Sequence, residues 1–88
     1  MNSPEIRLIA IRKTLQLHFA PDFLAIQDDS AQHAGHAGAA GGAGHYTVEI
    51  AASCFVGKSR LEVHRAIYAA LADFLPAEIH ALQIRLRQ

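Results

Sequence analysis

The chain has a single cysteine, Cys54. One cysteine cannot close an internal disulfide, which excludes a disulfide-stapled scaffold and fits a reducing compartment. Net charge is missing too: 8 basic side chains balance 8 acidic ones when histidine is neutral. A chain with no positive excess exerts no strong non-specific pull on nucleic acid, although a local basic face remains open to it. No apolar run approaches the ~18 residues of a membrane span. The opening M-N-S-P-E-I-R lacks the basic-then-apolar layout of a signal peptide. Together these absences predict a soluble cytoplasmic protein. Three catalytic or metal signatures are absent as well. There is no H-E-x-x-H and no C-x-x-C, so no complete zinc signature. Phe55-Val56-Gly57-Lys58-Ser59 resembles only the end of a phosphate loop, without its first glycine, which excludes nucleotide hydrolysis there. Ser30 and Asp28 lie near histidines, but no nucleophile elbow surrounds Ser30. No constellation supports a reaction, and the chain reads as non-enzymatic.

What is present fits one small domain over residues 1–88. Half the residues are apolar, enough for a core, and no repeat or linker divides the chain. The 6 histidines make its charge sensitive between about pH 5 and 8.

Ser3-Pro4 predicts a helix start, with serine as N-cap and proline where its missing donor costs nothing. Leu8, Ile11, Leu15 and Phe19 follow at helical spacing, and Pro21 ends the run. Leu24 and Ile26 alternate with Ala25 and Gln27 as a short strand closed by Asp28-Asp29-Ser30. The 14 residues Ala31–Gly44 include five glycines and read as a mobile loop, long enough to suggest either a functional segment or a tolerated insertion. From His45, Tyr46, Val48 and Ile50 face one way and His45, Thr47 and Glu49 the other, a strand expected to pair antiparallel with the first. After a turn at 55–58, Ser59-Arg60-Leu61-Glu62 fits a capping box. The helix it opens is expected to reach Phe74 or Leu75, with a stripe of Leu61, His64, Tyr68, Leu71 and Leu75 broadened by Ile67 and Phe74. Pro76 stops it, and Ile79 to Leu86 forms the last strand. The order is helix, strand, strand, helix, strand. An α/β (α+β) sheet with both helices on one face would bury both stripes, with a parallel crossover between the last two strands.

Histidine carries the candidate chemistry. His64 lies on the expected apolar stripe and reads first as a packed histidine with satisfied ring nitrogens. His80 shares strand parity with Leu82, Ile84 and Leu86, so its ring is expected to lean toward the core. It also opens the strand next to a helix end, where a ring can reach solvent, which leaves core histidine and ligand as two even readings. His33 and His36 stand three apart in the glycine-rich loop; such a pair can contribute to a metal site, or be solvated loop histidines. Cys54 has no activating cation directly beside it, although Lys58 is near in sequence, and reads as a buried, inert thiol. Lys58, Arg60 and Arg65 could form a small basic face near a helix N-terminus, or an ordinary solvated surface.

The motifs F-x-G-K-S (55–59), H-R-x-x-Y-x-x-L (64–71) and I-H-A-L (79–82) together resemble the signature of the BolA family. Ile11-Arg12, Leu15, Phe19, Pro21, Leu24, Ile26, Asp28, Ser30 and His45-Tyr46 extend the resemblance over most of the chain. Val63 stands where the family usually has the first arginine of R-H-R, and Ala51-Ala52-Ser53 replaces the usual V-S before the turn. The resemblance implies an αββαβ fold similar to class II KH domains, with a three-stranded mixed sheet; the G-x-x-G clamp of RNA-binding KH modules is missing. It implies two functions. In one, the protein pairs with a monothiol glutaredoxin and the two share a [2Fe-2S] cluster. There His80 and a loop residue, His33 or its competitor His36, are ligands beside the glutaredoxin's cysteine and a glutathione thiolate. The isolated protein would then hold no cofactor. In the other, the protein is a DNA-binding transcriptional regulator that uses Lys58, Arg60 and Arg65. Zero net charge and Val63 favour the first.

Overall fold

A computed structural model describes residues 4–29, 44–75 and 77–87. The expected Ser3 cap, the loop with Ser30, His33 and His36, and Pro76 lie outside the described residues. The elements run α1 (Pro4–Phe19), β1 (Phe23–Asp28), β2 (Gly44–Ala51), α2 (Arg60–Ala70) and β3 (Ile79–Leu86), with short 3-10 turns at Ser53–Phe55 and Ala72–Phe74.

The strands lie in the order β1-β2-β3. β1 pairs antiparallel with β2, with Leu24 opposite Ile50 and Asp28 opposite Tyr46. β2 pairs parallel with β3, from Gly44 opposite Ile79 to Ile50 opposite Leu86. This is the expected mixed sheet, with α2 as the crossover that parallel neighbours require.

Alternation along β2 decides which face is covered. Tyr46, Val48 and Ile50 are buried against Ile11 and Leu15 of α1 and Val63, Ile67 and Leu71 of α2. Both helices therefore pack on that one face. The other face carries Gln27, Thr47, Glu49, Gln83 and Arg85, none of them buried.

The stripe of α2 differs from expectation. Leu61 is 58% exposed and Tyr68 42% exposed, whereas Val63 is buried. The core row is Val63, Ile67 and Leu71, one step around the helix from Leu61, His64 and Tyr68. Tyr68 lies at the rim of the core, where its hydroxyl donates to the Leu82 carbonyl of the edge strand β3 at 3.2 Å. The α-helix also stops at Ala70, earlier than expected; the 3-10 turn Ala72–Phe74 tightens the chain and still buries Phe74. The capping box is present as read: Ser59 Oγ accepts from Glu62 N at 3.1 Å, and Glu62 Oε1 accepts from Ser59 N at 2.8 Å.

Candidate functional site

One pole of the sheet gathers most of the unusual polar residues. The segment 30–43 joins it at both ends, leaving after β1 and re-entering at β2. Asp29 N donates to the His45 carbonyl at 2.7 Å, and Gly44 N donates to the Glu78 carbonyl at 2.9 Å. These two bonds fix the flanks of the segment against β2 and the start of β3. His33 and His36 thus belong to a segment whose flanks meet beside His80, although the two residues themselves are outside the described part.

His80 lies on an irregularity of the sheet. Gly44 is opposite Ile79, but the next pair is His45 with Ala81, so His80 is an extra residue with no partner on β2. A bulge of this kind re-aims the side chain it carries and often sits beside a functional site. It also breaks strand parity. Ile79 is buried, His80 and Ala81 are exposed, and the alternation resumes at Leu82. Of the two readings of His80, the core-facing one fails and the solvent-reaching one holds: the residue is exposed.

The bulge sets the His80 imidazole beside a second one. The His45 and His80 ring centroids are 5.2 Å apart, with planes tilted by 57°. His45 is 9% exposed, so the pair has one buried and one exposed member. Sequence reasoning placed His45 on the side of β2 away from the core but missed this contact. It depends on the β2–β3 register and on one inserted residue, and neither has a local signal.

A partly buried ion pair lies at the same pole. Arg7 Nε lies 3.9 Å from Glu78 Oε1, with the two side chains 9% and 22% exposed. Glu78 N also donates to the Phe74 carbonyl at 2.9 Å. The residue two before His80 is thus held by α1, by the turn after α2 and by Gly44. On the neighbouring open face, the Thr47 hydroxyl donates to the Asp29 carboxylate. No group of three or more histidine, cysteine, aspartate or glutamate side chains gathers around a common point among the described residues.

The remaining candidates lie elsewhere. His64 is half-buried on α2. Cys54, expected to be buried, is instead an exposed free thiol, because the turn beyond the far end of β2 that carries it buries none of its residues; its sulfur lies 3.6 Å from the Phe19 carbonyl. Lys58, Arg60 and Arg65 are exposed near the start of α2. Gly57 gives that turn its left-handed residue, at φ 82°. A groove of about 570 Å³ opens beside the turn, lined by Ile50, Phe55, Val56, Lys58, Leu86 and Arg87 among others. The basic residues share their end of the helix with Glu62. Its carboxyl is held below the usual range, chiefly by the hydrogen bond from the Ser59 backbone, then by the Ser59 hydroxyl and Lys58.

Residues 15–88 match the model of the BolA-like protein family. The chain belongs to the BolA family. It is 40% identical over 78 residues to BolA-like protein 1 of Pongo abelii, covering 89% of this chain and 55% of that protein. It is 35% identical over 74 residues to the DNA-binding transcriptional regulator BolA of Escherichia coli (strain K12), covering 84% of this chain and 68% of that one. The solved BolA domain of SufE1 from Arabidopsis thaliana superposes with a TM-score of 0.79 at 37% identity, covering 92% of this chain and 90% of that domain. The chain thus spans about half the length of the first of these relatives. No helix among the described residues is long and apolar enough to cross a membrane.

Proposed function

We propose that this BolA-like chain works as a binding partner, not an enzyme: it pairs with a monothiol glutaredoxin and contributes ligands to a shared [2Fe-2S] cluster in iron–sulfur trafficking or iron and redox regulation. The observation that carries the reading is the exposed His80 imidazole, turned outward by the bulge at a braced pole of the sheet. A ligand to a cluster shared between two proteins must reach the interface, and a core histidine cannot. The donor set fits: imidazole can replace thiolate on one iron of such a cluster, where it raises the potential. His80 would be one ligand. The second would come from His33 or His36, in the segment whose flanks meet beside His80. Cys54, at the far end of β2, is not a candidate.

This chain's own residues bind and orient. Arg7, Glu78 and Gly44 hold the backbone that precedes His80, and His45 flanks its ring. Loss of the support around a metal ligand typically costs about 10–100-fold in metal affinity.

The test is a titration of the purified chain into a cluster-loaded monothiol glutaredoxin with glutathione, followed by visible circular dichroism. The expected result is a new spectrum at one-to-one stoichiometry that is lost in His80→Ala and reduced in either His33→Ala or His36→Ala. An unchanged spectrum and complex with His80→Ala would overturn the ligand assignment.

The likeness to a relative named as a DNA-binding regulator favours a second reading, with Lys58, Arg60 and Arg65 as phosphate contacts. Zero net charge and the capping carboxylate of Glu62 among these cations weigh against it. Binding that weakens steeply with salt, and more so after Arg60→Ala or Arg65→Ala, would support it.

A further inference from the structure

We infer that His45 and His80 form a two-imidazole seat for a single divalent transition metal of the zinc class, which the chain can occupy alone, without glutaredoxin, glutathione or iron. The inference goes beyond the cluster reading and does not depend on it.

Two imidazoles bound to one tetrahedral dication at about 2.0–2.1 Å per bond hold their centroids about 5 Å apart, with their planes inclined to each other. The His45 and His80 centroids are 5.2 Å apart and tilted by 57°. The separation matches that of two imidazoles on one ion, and it is also that of an ordinary tilted ring contact, which the test below distinguishes.

Placement is the second step. Had β3 continued in regular register, His80 would have alternated with Ile79 and stood in line with a partner on β2. The extra residue brings it instead beside the one histidine of β2, between the pairs Gly44–Ile79 and His45–Ala81. The backbone on both sides is fixed. Asp29 N bonds the His45 carbonyl, Gly44 N bonds the Glu78 carbonyl, and Arg7 holds the Glu78 side chain. Little ordering is left for the metal to impose, which is what makes a two-ligand site bind at all.

The chemistry of the donors is the third step. Neutral imidazole suits zinc, nickel and copper, whereas calcium and magnesium require oxygen ligands. No third protein ligand joins the pair among the described residues. With only these two described residues as ligands, the remaining positions are open to water or an incoming ligand, which makes the site labile and exchangeable. His80 would serve both this metal and the proposed cluster, so a bound zinc ion would compete with cluster assembly on the same side chain.

The test uses the whole chain, stripped with chelator and free of glutaredoxin, glutathione and iron. Zn²⁺ is titrated while the imidazole nitrogens are followed by NMR. The His45 and His80 signals are expected to move together and saturate at one equivalent. Affinity is expected to fall about tenfold or more in His80→Ala and in His45→Asn. The exposed His80 can be replaced without disturbing the core, and the far-ultraviolet spectrum of His45→Asn shows whether that variant is folded. The His33→Ala/His36→Ala double variant is expected to keep the coupled shift at His45 and His80. Shifts at His80 with His45 unmoved, shifts that vanish in the loop double variant, or no saturable binding would each overturn the inference and leave an ordinary ring contact. Because the proposed cluster complex is read in a separate experiment with its partner present, either idea can fail while the other stands.

Discussion

Tyr46 lays its ring over Gly44, so closely that a Cβ added at Gly44 would collide with Cε2, Cζ and the hydroxyl. Tyr46 is almost fully buried, and Gly44 N is tied to the Glu78 carbonyl, so neither side can retreat without loss. Gly44→Ala is expected to destabilise the fold by about 1–3 kcal/mol, as overpacking does. A urea melt should show a lower midpoint with an unchanged slope. Tyr46→Leu in the Gly44→Ala background should recover part of the loss. An unchanged midpoint in the single variant would mean that the ring yields freely.

The Arg7–Glu78 pair joins the start of α1 to the residue two before His80. Arg7→Met removes the cation and leaves a carboxylate that is mostly buried, with only 22% of its side chain exposed. The expected cost is about 1–3 kcal/mol, below that of a fully buried pair because Glu78 keeps some contact with water. Replacing both, as Arg7→Met with Glu78→Leu, should cost less than the two single changes added together, since apolar packing then fills a site with no orphaned charge. Additive losses in the double-mutant cycle would show that the two side chains do not act as a pair.

How much of this was legible in the sequence varies with the range of the signal. Helical spacing in Leu8, Ile11, Leu15 and Phe19, alternation in Tyr46, Val48 and Ile50, and the Ser59–Glu62 box are local patterns, and all three correspond to elements in the structure. The stripe of α2 holds at Ile67, Leu71 and Phe74, which are buried, and fails at Leu61 and Tyr68, which are exposed while Val63 is buried, because a helix face alone does not reveal which of two adjacent rows meets the sheet. The side on which His80 falls stayed open in the sequence because strand alternation presumes unbroken pairing, and the inserted residue shows only when β3 is laid beside β2. The nearness of His45 and His80 follows from the same non-local register. The resemblance to the family pointed to His80 without needing that geometry.

Ala20, just past the end of α1, has φ 44°, the left-handed region where a Cβ is strained. Its N–H still donates to the Gln16 carbonyl at 3.0 Å, closing the helix in the way a glycine usually does. Ala20→Gly relieves the strain but loosens the unfolded chain, so the net gain should be roughly 0.5–1 kcal/mol. Thermal melting should show a higher Tm. A lower one would mean that the unfolded-state term dominates at this position.

The capping box gives α2 a pH dependence whose sign can be worked out. Hydrogen bonds from the Ser59 backbone and hydroxyl, with Lys58 nearby, hold the Glu62 carboxyl below its ordinary value in the folded chain. A carboxyl depressed by folding stabilises the fold in full above its unfolded pKa, and that contribution is lost as pH falls through the folded one. Glu62→Gln keeps an acceptor but removes the charge, so its stability should fall less than the wild type's on acidification through the carboxylate range. Ser59→Ala removes the acceptor for Glu62 N and should cost about 1 kcal/mol at neutral pH. It should also flatten the acid dependence, because the Ser59 hydroxyl then no longer holds the carboxyl down. Urea midpoints for the three proteins, measured from neutral pH into the acid range, test this directly. Parallel curves for wild type and Glu62→Gln would place the acid sensitivity of the fold on other carboxylates.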